Sequence, residues 1–174
     1  MVDISLTKEE ELPFARAIAL FRYDDRTGKL FWRTSRRRIK AGDEAGSIAS
    51  SHGYRVVSLK QRTYLQHRIT WLLYYGEWPK GMLDHINLDK LDNRISNLRI
   101  ADHQQNNANR TAMKRSGAAG SLKGASLTKR GVWRASIKVS GKTKNLGDYR
   151  TEMEAHLVYG QAARSNFGDF ARER

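Results

Sequence analysis

Apolar residues recur at helical spacing from Pro13 to Phe21, where Phe14, Ala17, Ile18 and Phe21 share one side and Pro13 suits a first helical turn. Arg26-Thr27-Gly28-Lys29 then reads as a hairpin turn feeding the strand-like Leu30-Phe31-Trp32. Gly53 to Leu59 and Thr63 to Gln66 read as two strands joined by Lys60-Gln61-Arg62. His67 to Tyr75 carries Ile69, Leu72 and Leu73 at a spacing that predicts a short helix, ended by Gly76 and Pro79. Far downstream, Trp133 to Val139 alternates strictly. Trp133, Ala135, Ile137 and Val139 fall on one face, and Arg134, Ser136 and Lys138 on the other. Ser140-Gly141-Lys142 turns that strand into Thr143 to Tyr149. Thr151-Glu152-Met153-Glu154 is a capping box, opening a helix with Ala155, Val158, Tyr159, Ala162 and Ala163 on one side and Gly168 at its end. The pattern predicts an α+β chain whose C-terminal part is three antiparallel strands and a helix.

Composition divides the chain in two. Of 174 residues, 32 are Lys or Arg and 18 Asp or Glu, a formal net charge of +14. Residues 107–174 hold 14 basic and 5 acidic side chains, so the shorter C-terminal part carries +9 of that excess. An imbalance of this size favours a polyanionic partner. No apolar run of membrane-spanning length and no signal peptide is present, which favours nucleic acid over a membrane and a cytoplasmic location. With no cysteine, disulfides and thiolate zinc sites are excluded, and a bound metal needs His, Asp, Glu, Asn or backbone ligands. Arg36, Arg37 and Arg38, with Lys40, form a basic loop suited to phosphate contact. The small, polar, basic stretch from Thr111 to Gly120 reads as a linker.

The chemistry concentrates between Met82 and Asn109. Hydrolysis of a phosphodiester needs an activated water, a cation on the developing charge and help for the leaving oxygen. Asp84 supplies a carboxylate, and Asn106 an amide oxygen provided its helix packs against the strand bearing Asp84. A hard cation that keeps most of its water needs little more. His85 is the candidate general base. Neighbouring strand residues point to opposite faces, so Asp84 and His85 serve one phosphate only where the strand ends or the backbone is irregular. Asp102 reads as a helix N-cap with Gln105 at the reciprocal position, which sets Asn106 and Asn109 on one helical face. Asparagine is a poor interior helix former, at about 0.6 kcal/mol relative to Ala, so three within four residues suggest a site.

Asp84-His85, Asn93, Asn97-Leu98-Arg99 and Asn106, preceded by Tyr64 to Trp71, Gly76-Glu77-Trp78-Pro79 and Tyr23-Asp24-Asp25 with Thr27 to Leu30, resemble the HNH (His-Me finger, ββα-metal) nucleases. The phage-borne homing endonucleases among them are the nearest in pattern, and the resemblance covers residues 12–110. It implies His85 as general base, Asp84 and Asn106 as ligands of one Mg²⁺ or Mn²⁺ per active site, and Asn97 as a brace of the finger loop that orients His85. Many members have a final His where this chain has Asn106. His103 stands three residues earlier, and the second ligand is open between the two.

A second resemblance covers residues 117–172. Lys123 to Ser126, Val132 to Ile137, Gly141-Lys142, Leu146 to Tyr149 and Glu154 to Tyr159 with Ala162-Ala163 resemble the plant ethylene-response-factor type DNA-binding domains. Such domains lay a three-stranded sheet in the major groove. Matching positions give Lys123, Ser126, Thr128, Arg130, Arg134, Ser136, Lys138, Thr143 and Asn145 as the DNA-facing set.

The expected organisation is therefore a nuclease domain over 1–110, a basic linker over 111–120 and a DNA-reading domain over 121–174. The expected activity is metal-dependent hydrolysis of duplex DNA at a recognised site, one strand nicked per active site, by a monomer or weak dimer needing no small-molecule cofactor. If the chain is phage-encoded, it acts in the host cytoplasm. A non-cleaving DNA-binding regulator on a degenerate nuclease fold is the competing expectation. His67 reads as a structural histidine, His52 and His156 as surface residues, and Trp71, Trp78 and Trp133 as packing residues.

Overall fold

A computed structural model describes residues 12–60, 62–109 and 122–171, so the expected linker lies outside the described residues. The chain divides into two compact units after Ile100. The helix bearing Asn106 clusters with the C-terminal residues.

The first unit opens with α1 (Phe14–Leu20), capped by Pro13, and runs directly into β1 (Phe21–Asp24). β1 pairs antiparallel with β2 (Lys29–Trp32), Phe21 opposite Trp32 and Asp24 opposite Lys29. The expected apolar side of α1 is covered only in part. Ala17 is buried with Leu12 and Phe21, whereas Phe14 and Ile18 are 39% and 42% exposed. The buried part is the one that leads into the buried start of β1.

A short β3 (Ser47–Ile48), not visible in the hydrophobic pattern, adds to β4 (Arg55–Leu59) and β5 (Arg62–Leu65) in the order β3-β4-β5. α2 (Gln66–Tyr75) follows at once and stops at Gly76, whose left-handed backbone (φ 78°) lets its N–H reach Leu72 O. One core binds these parts: Leu12, Ala17, Phe21, Leu30, Trp32, Ala45, Val57, Leu59, Tyr64, Ile69 and Leu72. Trp78 stacks on Tyr64 at 6.2 Å. β6 (Met82–His85) then pairs with β7 (Leu98–Ala101), with a single 3-10 turn at Ile95–Asn97 between them.

The second unit holds α3 (His103–Asn109), β8 (Ala125–Leu127), β9 (Trp133–Val139), β10 (Lys142–Tyr149) and α4 (Glu152–Phe167). The strands form an antiparallel sheet in the order β10-β9-β8, and α4 lies on one face of it. Both capping boxes form as their sequences predict. Asp102 Oδ1 accepts from the N–H groups of Gln104 and Gln105 while Gln105 Oε1 accepts from Asp102 N. Thr151 and Glu154 exchange the corresponding pair at α4. Ala155 and Ala163 are fully buried, so α4 approaches the sheet closely. Gly124 lies flat on the ring of Tyr159, where a Cβ would come within 2.0 Å of Cγ.

The alternation of β9 holds, with one correction. Ala135 and Ile137 are buried and Val139 packs beside them, but Trp133 is only half-buried and stands outside the cluster of Ile137, Tyr159 and Ala163. It lies at the first position of its strand. His156, expected at the surface, is instead buried, and its Nδ1 bonds the carbonyl of Lys123 at 2.8 Å. Ile137→Ala is therefore expected to cost about 2–5 kcal/mol, and Trp133→Ala distinctly less. Thermal unfolding of the two variants checks the order, and an equal or larger loss for Trp133→Ala would refute this packing.

Candidate active site

β6 ends at His85, which meets the condition for two adjacent residues to serve one centre. The strand is replaced there by a loop that begins with Ile86 N donating to Asn97 O and Leu88 N donating to His85 O. Asp84 and His85 are each only 4% exposed. A buried carboxylate needs a partner. Asp84 has Arg99, which enters from β7 and places Nε at 3.0 Å and Nη2 at 2.9 Å from Oδ2.

The imidazole of His85 sits among aromatic rings. His67, fully buried on α2, meets it edge-on at 5.1 Å between centroids, and Tyr54 lies 5.8 Å from His85 and 5.3 Å from His67. Lys90 Nζ stands over the Tyr54 ring at 4.9 Å and donates to His52 O. His85 Nε2 bonds Asn93 Oδ1 at 2.9 Å. With that oxygen as acceptor, Nε2 carries the proton and Nδ1 is the basic nitrogen. Burial lowers the pKa of His85 below 6.5, against the raising effects of the Asn93 bond and of Asp84, Asp89 and Asp92. Burial likewise holds His67 well below 6.5, with the charges of His85, Arg68 and His52 acting in the same direction. Both rings are neutral at pH 7.

The loop from Ile86 to Asn97 is closed by its own carboxamides and carboxylates. Asn97 Oδ1 accepts from Asn87 N at 3.0 Å, and its Nδ2 donates to Asn87 Oδ1 and Asp92 O. Arg94 grips Asp92 through Nε at 2.7 Å and Nη2 at 2.6 Å, and Asn87 Nδ2 adds a third bond to the same carboxylate. Chiefly through the Arg94 bond, Asp92 is lowered to a pKa of about 2. The bracing expected of Asn97 thus acts on loop backbone, while Asn93 supplies the bond to the imidazole. Asn93 is missed as an orienting residue in the sequence, where both asparagines belong to one series. Both are buried, and what separates Asn93 is the contact of its Oδ1 with His85 Nε2.

The loop is held from behind by the first hairpin. Tyr23 Oη accepts from Ile95 N at 2.9 Å and donates to Asn93 O at 3.2 Å, and burial foremost pushes its pKa up to about 12. Gly28, at φ 72°, lies against the Asn93–Arg94 peptide, where a Cβ would stand 2.4 Å from Arg94 N and 2.7 Å from the Asn93 carbonyl carbon. Gln66 Nε2 donates to Gly28 O, and Arg68 on the same helix donates to the carbonyls of Pro79 and Gly81 ahead of β6.

Among the described residues no three His, Asp or Glu side chains stand together as a metal-binding group. A hard cation that retains most of its water needs only one or two protein oxygens. Asp84 is a buried carboxylate, the oxygen ligand that such an ion takes. Asn106 is half-buried and His103 exposed, both on α3 in the second unit.

The expected DNA-facing residues divide by environment. Arg37 and Arg38 are exposed, whereas Arg36 lies over the Trp32 ring at 3.9 Å in a tight turn closed by paired bonds between Arg36 and Ile39. On the second unit, Ser126, Arg130, Arg134, Lys138, Thr143 and Asn145 are exposed and Ser136 partly so. Thr128 is spent on a turn, its Oγ1 donating to Val132 O. Lys123 is half-buried with its ammonium on the Ala108 carbonyl, so it is engaged within the unit.

Residues 64–108 match the family described as HNH endonuclease, across the segment holding Asp84, His85, Asn93, Asn97 and Asn106. The chain is 32% identical over 120 residues to an uncharacterised HNH endonuclease of Acanthamoeba polyphaga mimivirus, which is 68% of this chain and 61% of that relative's length. It is 35% identical over 111 residues to Protein 3.8 of Escherichia phage T7, which is 57% of this chain and 88% of that protein. No solved structure matches.

Two expectations follow from the loop. Gly28→Ala adds a Cβ against backbone in a left-handed conformation and is expected to cost about 2–4 kcal/mol in urea unfolding; a variant of wild-type stability would mean the hairpin does not press on the loop. Asp92 has a folded pKa of about 2, below an unfolded value of about 3.9. Its contribution to stability is therefore complete above about pH 4 and lost as pH falls towards 2. Asp92→Asn should flatten the melting-temperature profile in that window, and an unchanged acid slope would count against the Arg94 grip.

Proposed function

We propose that this chain, which carries an HNH endonuclease domain and belongs to one family with Protein 3.8 of Escherichia phage T7, is a divalent-metal-dependent DNA endonuclease of the homing type. The carrying observation is the buried His85 imidazole at the end of β6, bonded through Nε2 to Asn93 and adjacent in the chain to the ion-paired Asp84. His85 Nδ1 takes the proton of the attacking water. Asn93 keeps the imidazole in the tautomer that leaves Nδ1 basic, and the His67 and Tyr54 rings limit its rotation. Asp84 holds the divalent cation, with Asn106 as second protein ligand and His103 as the other candidate; Arg99 fixes the Asp84 carboxylate. A divalent cation held there would supply positive charge to the phosphate oxygens and the leaving oxygen. Asn97 braces the loop.

The substrate is duplex DNA. Arg36, Arg37 and Arg38 contact phosphate beside the nuclease centre, and the open face of β8, β9 and β10 reads the site in the manner of the ethylene-response-factor type domains. The domain division proposed is nuclease to residue 110, a basic segment over 111–120 and the reader thereafter. One centre per chain nicks one strand per turnover, and the setting is a host cytoplasm.

The test is end-sequencing of random duplexes incubated with the full chain and Mg²⁺. His85→Ala should lower cleavage at least about 100-fold. Affinity measured in EDTA should stay near wild type, because it rests on many basic contacts. EDTA or Asp84→Asn should likewise stop cleavage. Wild-type cleavage by His85→Ala would refute the base, and loss of binding in that variant would show that the residue is structural.

A further inference from the structure

The open face of the second unit's sheet carries one residue of the wrong sign. Ser126, Arg134, Ser136, Lys138, Thr143 and Asn145 are polar or basic there, and Asp148 stands among them as an acid. Its presence on that face is not a consequence of simple alternation. From Asn145, strict alternation would bring residues 147 and 149 outward and turn Asp148 towards α4. A bulge prevents this: Asn145 pairs with Ser136 and Gly147 with Ala135, so β10 spends an extra residue. Leu146 packs into the core, and Asp148 comes opposite Arg134.

The bulge is built in. Gly147 adopts φ 126°, and a Cβ on it would lie 2.8 Å from Tyr149 Oη. Its N–H is held by Asn145 Oδ1, and Tyr149 Oη donates to Leu146 O. Three local features thus converge on setting a carboxylate beside one arginine. The pairing is side-on and bidentate: Arg134 Nε donates to Oδ1 at 2.7 Å and Nη2 to Oδ2 at 2.8 Å. Both side chains remain well exposed, and an exposed ion pair contributes little to stability. The pair does orient the guanidinium, which otherwise samples many rotamers.

We infer that Asp148 and Arg134 act as one reading unit, in which Asp148 holds the guanidinium so that its far edge addresses a guanine in the major groove. This rests on the reading of the sheet as the DNA-reading surface. Side-on engagement uses Nε and one Nη2 proton, and one Nη1 proton with the second Nη2 proton forms a parallel pair on the outer edge. Guanine offers O6 and N7 as a matching pair of acceptors. A phosphate is disfavoured at the same place by the Asp148 carboxylate, so the pair selects a base edge over the backbone. Asp148 is a positioning residue and Arg134 the contacting one.

The test enriches bound sites from random duplexes with the full chain in EDTA, for wild type, Arg134→Ala, Arg134→Lys and Asp148→Asn, with melting temperatures as the folding control. Wild type should prefer G·C at one position, and both Arg134 variants should lose that preference. Arg134→Lys keeps the charge and so should keep nearly the total affinity. Asp148→Asn should lower the preference for guanine at the same position about tenfold, with other positions unmoved. A G·C preference that depends on Arg134 but not on Asp148, or an even loss across all positions in Asp148→Asn, overturns the inference. Selectivity that survives in both Arg134 variants overturns it while leaving the sheet a reader through other residues. A wild-type chain that binds duplex but enriches no sequence removes the underlying reading and the inference together.

Discussion

Gly28 touches the Asn93–Arg94 peptide with backbone alone, and the site depends on that contact. A hydrogen bond between side chains orients an imidazole only if the partner's backbone is itself fixed. Asn93 is fixed on three sides: by Gly28 packed on its peptide, by Tyr23 on its carbonyl, and by the loop closed through Asn97 and Asp92. The support continues outward, since Gln66 holds the Gly28 carbonyl from the first turn of α2. Its neighbour His67 is the ring packed edge-on against His85. One short helix therefore steadies the imidazole by two routes, directly through a ring and indirectly through the hairpin.

The electrostatics follow from the same burial. Desolvation favours neutral imidazoles at His67 and His85, which a chain of net charge +14 also favours. The aspartates around the loop oppose this at His85 without reversing it. Asp84 keeps company with Arg99 from β7, and Asp92 with Arg94 in the same loop, while Asp89 accepts from the Leu91 N–H. Arginine suits both places because its fork bonds a carboxylate through two nitrogens at once. The result is a polar centre with two of its carboxylates held by guanidinium groups and an imidazole whose pKa burial lowers.

What the amino-acid order reveals is set by how local the physics is. The alternation of Ala135, Ile137 and Val139, the capping boxes at Asp102 and Thr151, and the terminator Gly76 are decided within a few residues, and the structure follows them. The Asp84-His85 pair and its asparagines were readable as chemistry because their spacing is short. The division of labour between Asn93 and Asn97 was not, since both are buried and only the folded loop decides which carboxamide meets the imidazole. Phe14 and Ile18 look like core residues by period, yet the core they would enter is set by strands that arrive later in the chain. Asp148 looks like an ordinary strand-end acid until the pairing with β9 reveals the extra residue at Leu146. Trp133 is apolar and in phase, but its place at the end of a strand leaves it half covered.

The bonds from Tyr23 to Asn93 and Ile95 span 70 and 72 residues. Contacts of such separation form slowly, because the loop between them must close before they are rewarded. The β4–β5 hairpin and α2 are local and need no such closure. The imidazole's surroundings are therefore completed late in folding, when the first hairpin docks behind the loop. Basic side chains on local turns and strands require no comparable wait. During synthesis these bonds cannot form until Ile95 has emerged, 72 residues after Tyr23.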